Sequence, residues 1–114
     1  MVDEIGVDIV ENERIKEKLK TPHLLENILT PAELAQFANR KGSKKLEFVC
    51  GRFAAKEAII KTLHSYATPH YLEIEILDDS DGAPIVEYQN YNIKLSISHE
   101  KHYTVSTAFL LKPC

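Results

Sequence analysis

Asp8, Glu57, Lys61 and His99 are the residues of this chain whose types and positions suit chemistry on a charged substrate. Two carboxylates without a histidine–cysteine cluster suit a hard cation. Magnesium fits best, because it takes one or two carboxylates together with waters and substrate phosphates. Lys61 stands one helical turn from Glu57, where it can contact a phosphate or, if desolvation lowers its pKa, act as a base. Arg52, Lys56, Lys44 and His99 add positive groups able to hold further phosphates. Each also has a plainer meaning. Glu57 and Lys61 have the order and spacing of an i,i+4 salt bridge worth about 0.2–0.5 kcal/mol, which on spacing alone is the commoner case. Asp8 can end a strand by bonding backbone, His99 can be a solvated turn histidine, and residues 14–20 a solvated basic helix face.

The elements that must position these groups follow from periodicity. Ile5, Val7 and Ile9 alternate with Gly6, Asp8 and Val10, the pattern of a strand with Asp8 opposite the apolar row. Gly6 leaves room there for a ligand or another backbone. Asn12 is placed to cap a following helix with Ile15 and Leu19 inward. Thr21-Pro22 and Thr30-Pro31 read as helix starts with proline at the first helical position, and Thr30 with Glu33 forms a capping box. Residues 40–45 read as a basic loop. Residues 46–63 or so form a helix that is apolar nearly all round, with Val49, Phe53, Ile60 and Leu63 on one ridge and Phe48, Ala55 and Ile59 on another. A buried helix should carry few charges unless they have partners or work to do. This one carries Arg52 and Lys56 on one flank and Glu57 and Lys61 on a different flank.

The period then changes to two. Leu72, Ile74 and Ile76 alternate with acidic residues, Gly82 and Pro84 shape a turn, and further strands run through Val86 and Tyr88, through Ile93 to Ile97, and over residues 103–111. Helices first and hairpin-linked strands last make an α+β fold with a mainly antiparallel sheet and one domain over residues 1–114.

Composition narrows the class. A net charge of −3 excludes a nucleic-acid signature over the whole chain, and no run is apolar enough for a membrane span. The start, MVDE, lacks a secretory pattern, and Cys50 and Cys114 read as reduced thiols, so the expected compartment is the cytoplasm. At 114 residues the chain is small for a self-contained cleft, which makes a site between subunits plausible.

Five segments in order resemble the holo-acyl-carrier-protein synthases, small bacterial 4'-phosphopantetheinyl transferases: GVDIVENERI, ILTPAELAQF, FVCGRFAAKEAIIKTL, DGAP and LSISHEKHYTV. GRFAAKEA is the most specific of them. The resemblance implies the transferase fold, a long central helix on a small antiparallel sheet. It also implies magnesium-dependent transfer of 4'-phosphopantetheine from coenzyme A to a serine of acyl carrier protein, releasing adenosine 3',5'-bisphosphate. By position, Asp8 and Glu57 are then the metal ligands and Lys61 the residue beside the transferred phosphate. Glu57, acting through a water, is the first choice of general base and Asp8 the next. Arg52, His99, Asp81 and Pro84 line the coenzyme A site, Lys44 contacts its 3'-phosphate, and Arg14 receives the acidic carrier. Homotrimers with sites between neighbours are implied as well.

One stretch departs from the family. Where a glycine-rich segment usually follows the central helix, this chain reads TLHSYATPHYLEI, with no glycine. That motivates the alternative of a catalytically weak or inactive module that binds coenzyme A or the carrier.

Overall fold

Strand β1 (Val2–Glu11) opens the chain and is followed by helices α1 (Asn12–Lys18), α2 (Leu24–Ile28), α3 (Pro31–Ala38) and α4 (Ser43–Leu63). A 3-10 turn at Tyr71–Glu73 leads into β2 (Glu75–Asp78), β3 (Pro84–Glu87), β4 (Asn92–His99) and β5 (Tyr103–Leu111). The computed structural model describes residues 1–113, so the thiol expected at Cys114 lies outside the described residues. Every strand pairing is antiparallel. The strands divide into a three-stranded sheet, ordered β1-β5-β4, and a separate β2-β3 hairpin.

Helix α4 joins the two halves of the core. Ala55, Ala58, Ile59 and Leu63 pack with Ile74, Ile76, Tyr88, Ile93, Ala108 and Leu110 from the strands. Val49, Cys50 and Ala54 pack with Val10, Ile15, Ile28 and Leu29 from β1 and the short helices. The all-round apolar pattern of α4 is therefore explained by neighbours on every side. Burial of each large aliphatic side chain in these layers is worth about 1.5–3 kcal/mol. Cys50 is free and buried, and burial pushes its thiol up to about 11, which leaves it unreactive at neutral pH.

Three local expectations are corrected. α4 begins at Ser43 rather than near Leu46, so Lys44 belongs to its first turn and not to a loop. Pro22 does not start a helix: His23, just before α2, takes a left-handed φ of 67°, which puts Pro22 in the preceding turn. Asn12 does not cap α1 either. Its side-chain amide donates instead to the carbonyls of Glu100 and Lys101, at 3.0 and 3.3 Å, and ties the β4–β5 turn to the end of β1. The capping box of α3 forms as expected, and Gly82 takes a φ of 84° in the β2–β3 turn.

Gly6 sets the distance between β1 and α4. A Cβ there would meet Thr62 Oγ1 at 2.2 Å and the Ala58 carbonyl at 2.4 Å. The room left by this glycine is thus taken by a helix backbone. Gly6→Ala is expected to destabilise the fold by about 1–3 kcal/mol, read as a lower urea midpoint, because helix and strand must separate. An unchanged midpoint would mean that α4 does not rest on β1 as described.

The other face of β1 is open. Ile5, Val7 and Ile9 are 62, 57 and 62% exposed, while Gly6 and Val10 face the helix.

Candidate active site

Asp8 and Glu57 come from different elements into one cleft. Asp8 lies on the helix-facing side of β1, fixed by pairing with Ser106 of β5, and Glu57 lies about two-thirds of the way along α4. Together with Phe53, Arg14 and Lys18 they line a cleft of about 260 Å³. Arg14 and Lys18 are one turn apart on α1, so both can reach its rim.

The predicted i,i+4 pair within α4 does not form. Lys61 Nζ donates instead to Asp8 Oδ1 at 2.8 Å and to the Val7 carbonyl at 3.2 Å. Glu57 Oε1 accepts from the hydroxyl of Tyr71, whose ring packs on Phe53 with centroids 5.6 Å apart. Burial first, then this hydrogen bond and the charges of Glu57 and Asp8, raise the Tyr71 pKa, so the phenol remains a donor at neutral pH. Each carboxylate is thus oriented through one oxygen. Among the described residues no protein donor bonds Asp8 Oδ2 or Glu57 Oε2. No third histidine, cysteine, aspartate or glutamate completes a metal cluster among the described residues. Two oriented carboxylates with free oxygens fit a cation that takes its other ligands from water and phosphate.

The phosphate-type residues gather elsewhere. A second cleft, of about 280 Å³, is lined by Arg40, Lys44, Phe48, Arg52, Asp78, Pro84 and His99, among others. It shares no lining residue with the first. Arg52 is nearly buried; its Nε donates to the Ile76 carbonyl and its NH2 to Asp78 Oδ1, both at 2.8 Å. Phe48 supports it from below, with the guanidinium 4.3 Å from the ring centroid. Arg40 shares Asp78 and the same ring. Lys44, 3.2 Å from Glu47, sits at the positive end of the α4 dipole, which favours anions. Pro84 lines this cleft, whereas exposed Asp81 lies on the adjoining turn and is not among its lining residues. Lys61 lines neither cleft.

His99 is held by a short relay. Thr104 donates its hydroxyl to Asn12 Oδ1 at 2.7 Å, so at 3.1 Å it accepts from His99 Nδ1. The ring lies over Gly51, where a Cβ would come within 3.2 Å of Cε1. Burial lowers the His99 pKa, opposed by Glu47 and reinforced by Lys44 and Arg52. Below the ordinary histidine value of about 6.5 the unfolded chain therefore takes up the proton more readily, and stability falls as pH drops through that range. His99→Gln is expected to flatten this acid-side slope in denaturation profiles; a slope identical to wild type would contradict the assignment.

Several of these contacts carry no sequence signal. Tyr71 falls in the glycine-free segment, and Asp78 reads only as part of an acidic turn. Lys56, expected to hold phosphate or a structural partner, does the latter. It is fully buried on Glu33 at 2.6 Å, with further bonds to the carbonyls of Ile28 and Tyr71.

The arrangement has close relatives. Residues 4–111 match the model of the 4'-phosphopantetheinyl transferase superfamily. The chain belongs to that superfamily. Within the superfamily it is 41% identical over 115 residues to the holo-[acyl-carrier-protein] synthase of Mycoplasma capricolum, covering 100% of this chain and 97% of that one. It is 40% identical over 116 residues to the synthase of Staphylococcus saprophyticus, covering 96% and 98%. A crystal structure of a holo-(acyl-carrier-protein) synthase from Bacillus anthracis, in complex with CoA (3',5'-ADP), matches with a TM-score of 0.87 at 38% identity over 96% of each chain. The Helicobacter pylori synthase in complex with coenzyme A matches at 0.81 with 27% identity, over 94% of this chain and 99% of that one. The enzyme class is phosphopantetheinyl transferase. The helix-on-antiparallel-sheet architecture is the one these synthases share. Among the described residues no helix is long and apolar enough to cross a membrane.

Proposed function

We propose that this protein transfers 4'-phosphopantetheine from coenzyme A to a serine of apo-acyl carrier protein, with magnesium, and releases adenosine 3',5'-bisphosphate. The observation that carries the reading is the meeting of Asp8 and Glu57 in one cleft, each with one oxygen tied to a donor and basic residues at the rim. The synthases it resembles, two of them in complex with coenzyme A or its fragment, support the substrate assignment.

In the transfer, the serine oxygen bonds to the phosphorus next to pantetheine. The bond from that phosphorus to the bridging oxygen breaks, and adenosine 3',5'-bisphosphate leaves with the electron pair. Positioning and charge neutralisation supply most of the catalysis in such reactions. Asp8 and Glu57 would hold the magnesium ion, which when bound offsets the charge of the pyrophosphate and the leaving oxygen. Lys61, anchored on Asp8, places a positive charge beside the transferred phosphoryl group. Glu57, through a water, is the proposed acceptor of the serine proton. Arg14, with Lys18, draws in the acidic carrier by long-range attraction. Arg52, His99, Lys44, Pro84 and the Asp81 turn hold coenzyme A.

Two features support a homotrimer with shared sites. The metal-type and phosphate-type clefts share no residue within one protomer, and the apolar row Ile5, Val7 and Ile9 lies uncovered on the sheet. Subunits joined through that face would bury the row.

Product analysis tests the reaction. Adenosine 3',5'-bisphosphate should form from coenzyme A only when apo-carrier is present, and a chelator should stop it. Tight coenzyme A binding with no product would instead indicate a binding module. Release of free phosphate would indicate a phosphatase.

A further inference from the structure

We propose that Tyr71 is a positioning residue for Glu57: its hydroxyl holds one carboxylate oxygen and presents the other to the cation. The inference rests on the reading of Glu57 as a metal ligand and adds the group that aims it.

The phenol is fixed at both ends. Its ring stands on Phe53, which lines the metal-type cleft, with centroids 5.6 Å apart and planes at 57°. Its backbone carbonyl accepts from Lys56 Nζ at 2.9 Å, and Lys56 is itself locked to Glu33 with both side chains 0% exposed. The 3-10 turn that carries Tyr71 is closed by Glu73, which accepts from the His70 N–H at 2.8 Å. A hydroxyl seated by ring and backbone together can restrain the flexible end of a glutamate.

Glu57 has need of that restraint. Its natural helical partner, Lys61, is taken by Asp8, so each carboxylate has its own donor: Lys61 for Asp8 and Tyr71 for Glu57. Partners of this kind typically account for 10–100-fold in metal affinity. The glycine-free segment after α4 thus supplies a hydroxyl that bonds a carboxylate of the cleft lining.

The test is Mn²⁺ binding to the full chain with saturating coenzyme A and no carrier, followed by the electron paramagnetic resonance of free Mn²⁺. Wild type, Tyr71→Phe, Phe53→Leu and Glu57→Gln are compared. Tyr71→Phe keeps the ring and should weaken Mn²⁺ by about tenfold or more, with a thermal midpoint close to wild type. In turnover, the Mn²⁺ needed for half-maximal rate should rise in parallel while the KM for carrier stays unchanged. Phe53→Leu keeps the hydroxyl but loosens its seat, so an intermediate loss is expected, and this variant reports even if Tyr71→Phe folds poorly. Affinity equal to or tighter than wild type in both variants, with Glu57→Gln weakened, overturns the positioning role and leaves Glu57 a ligand; tighter binding would mean that the phenol competes with the cation. Wild type and Glu57→Gln binding alike overturns the ligand reading and the positioning role with it.

Discussion

Asp8→Asn and Glu57→Gln are each expected to lower kcat by about a thousandfold or more, equivalent to roughly 4 kcal/mol of transition-state stabilisation. Both changes keep the shape of the side chain and remove its negative charge. The proposed metal site depends on that charge, because among the described residues no third carboxylate, histidine or cysteine joins these two in a metal cluster. Folding should survive. Lys61, the partner of Asp8, is 55% exposed on its side chain against 14% for Asp8, and asparagine keeps the oxygen that accepts from it. Steady-state rates alongside thermal midpoints separate the two effects. A loss below tenfold in both variants, in folded protein, would mean that the carboxylates do not serve the reaction.

The second large effect falls on stability. Glu33 and Lys56 are both 0% exposed and bonded to each other at 2.6 Å. Lys56→Met should destabilise the protein by about 3–5 kcal/mol, since it strands a buried carboxylate. Replacing both members of a buried pair with apolar residues is often harmless, but not here. Glu33 also accepts from the backbone N–H groups of Thr30 and Ile76, and Lys56 donates to the carbonyls of Ile28 and Tyr71. The apolar double variant Glu33→Leu/Lys56→Met would leave the N–H groups of Thr30 and Ile76 and the carbonyl of Ile28 without these partners, at about 1–3 kcal/mol apiece, while the Tyr71 carbonyl keeps the Ile74 N–H. It should therefore recover little of the stability lost in the single variant. Urea denaturation measures both. A single-variant cost under about 1 kcal/mol, or full recovery in the double, would contradict this account of the pair.

This pair also shows where sequence reading reached and where it stopped. The apolar pattern of α4 reported burial on all sides, and burial required a partner for Lys56. It did not say which one, since Glu33 lies 23 residues away and was legible only as half of a capping box. Periodicity reports which face is covered but not what covers it. The same gap explains Asn12, whose type and position suit a cap, yet whose amide is claimed by the β4–β5 turn far along the chain. It explains Lys61 as well: Glu57 is adjacent on the helix, but Asp8 is closer in space. Local features fared better. The Thr30 capping box, the Gly82 turn and the Tyr103–Leu111 strand depend on neighbours within a few residues or on simple alternation. The candidate residues were nearly all legible through the family motif, whereas their division between two clefts was not. That division depends on which face of α4 each residue occupies once β1 and the hairpin have packed. Tyr71 had no signal of either kind, because an aromatic residue in a connecting segment reads simply as packing.

The most direct measurement is the intact mass of an apo-acyl carrier protein after incubation with this protein, coenzyme A and magnesium. A gain of one phosphopantetheine on one serine is expected, absent with Glu57→Gln. An unchanged carrier mass, while a Bacillus anthracis synthase modifies the same carrier in parallel, would contradict it.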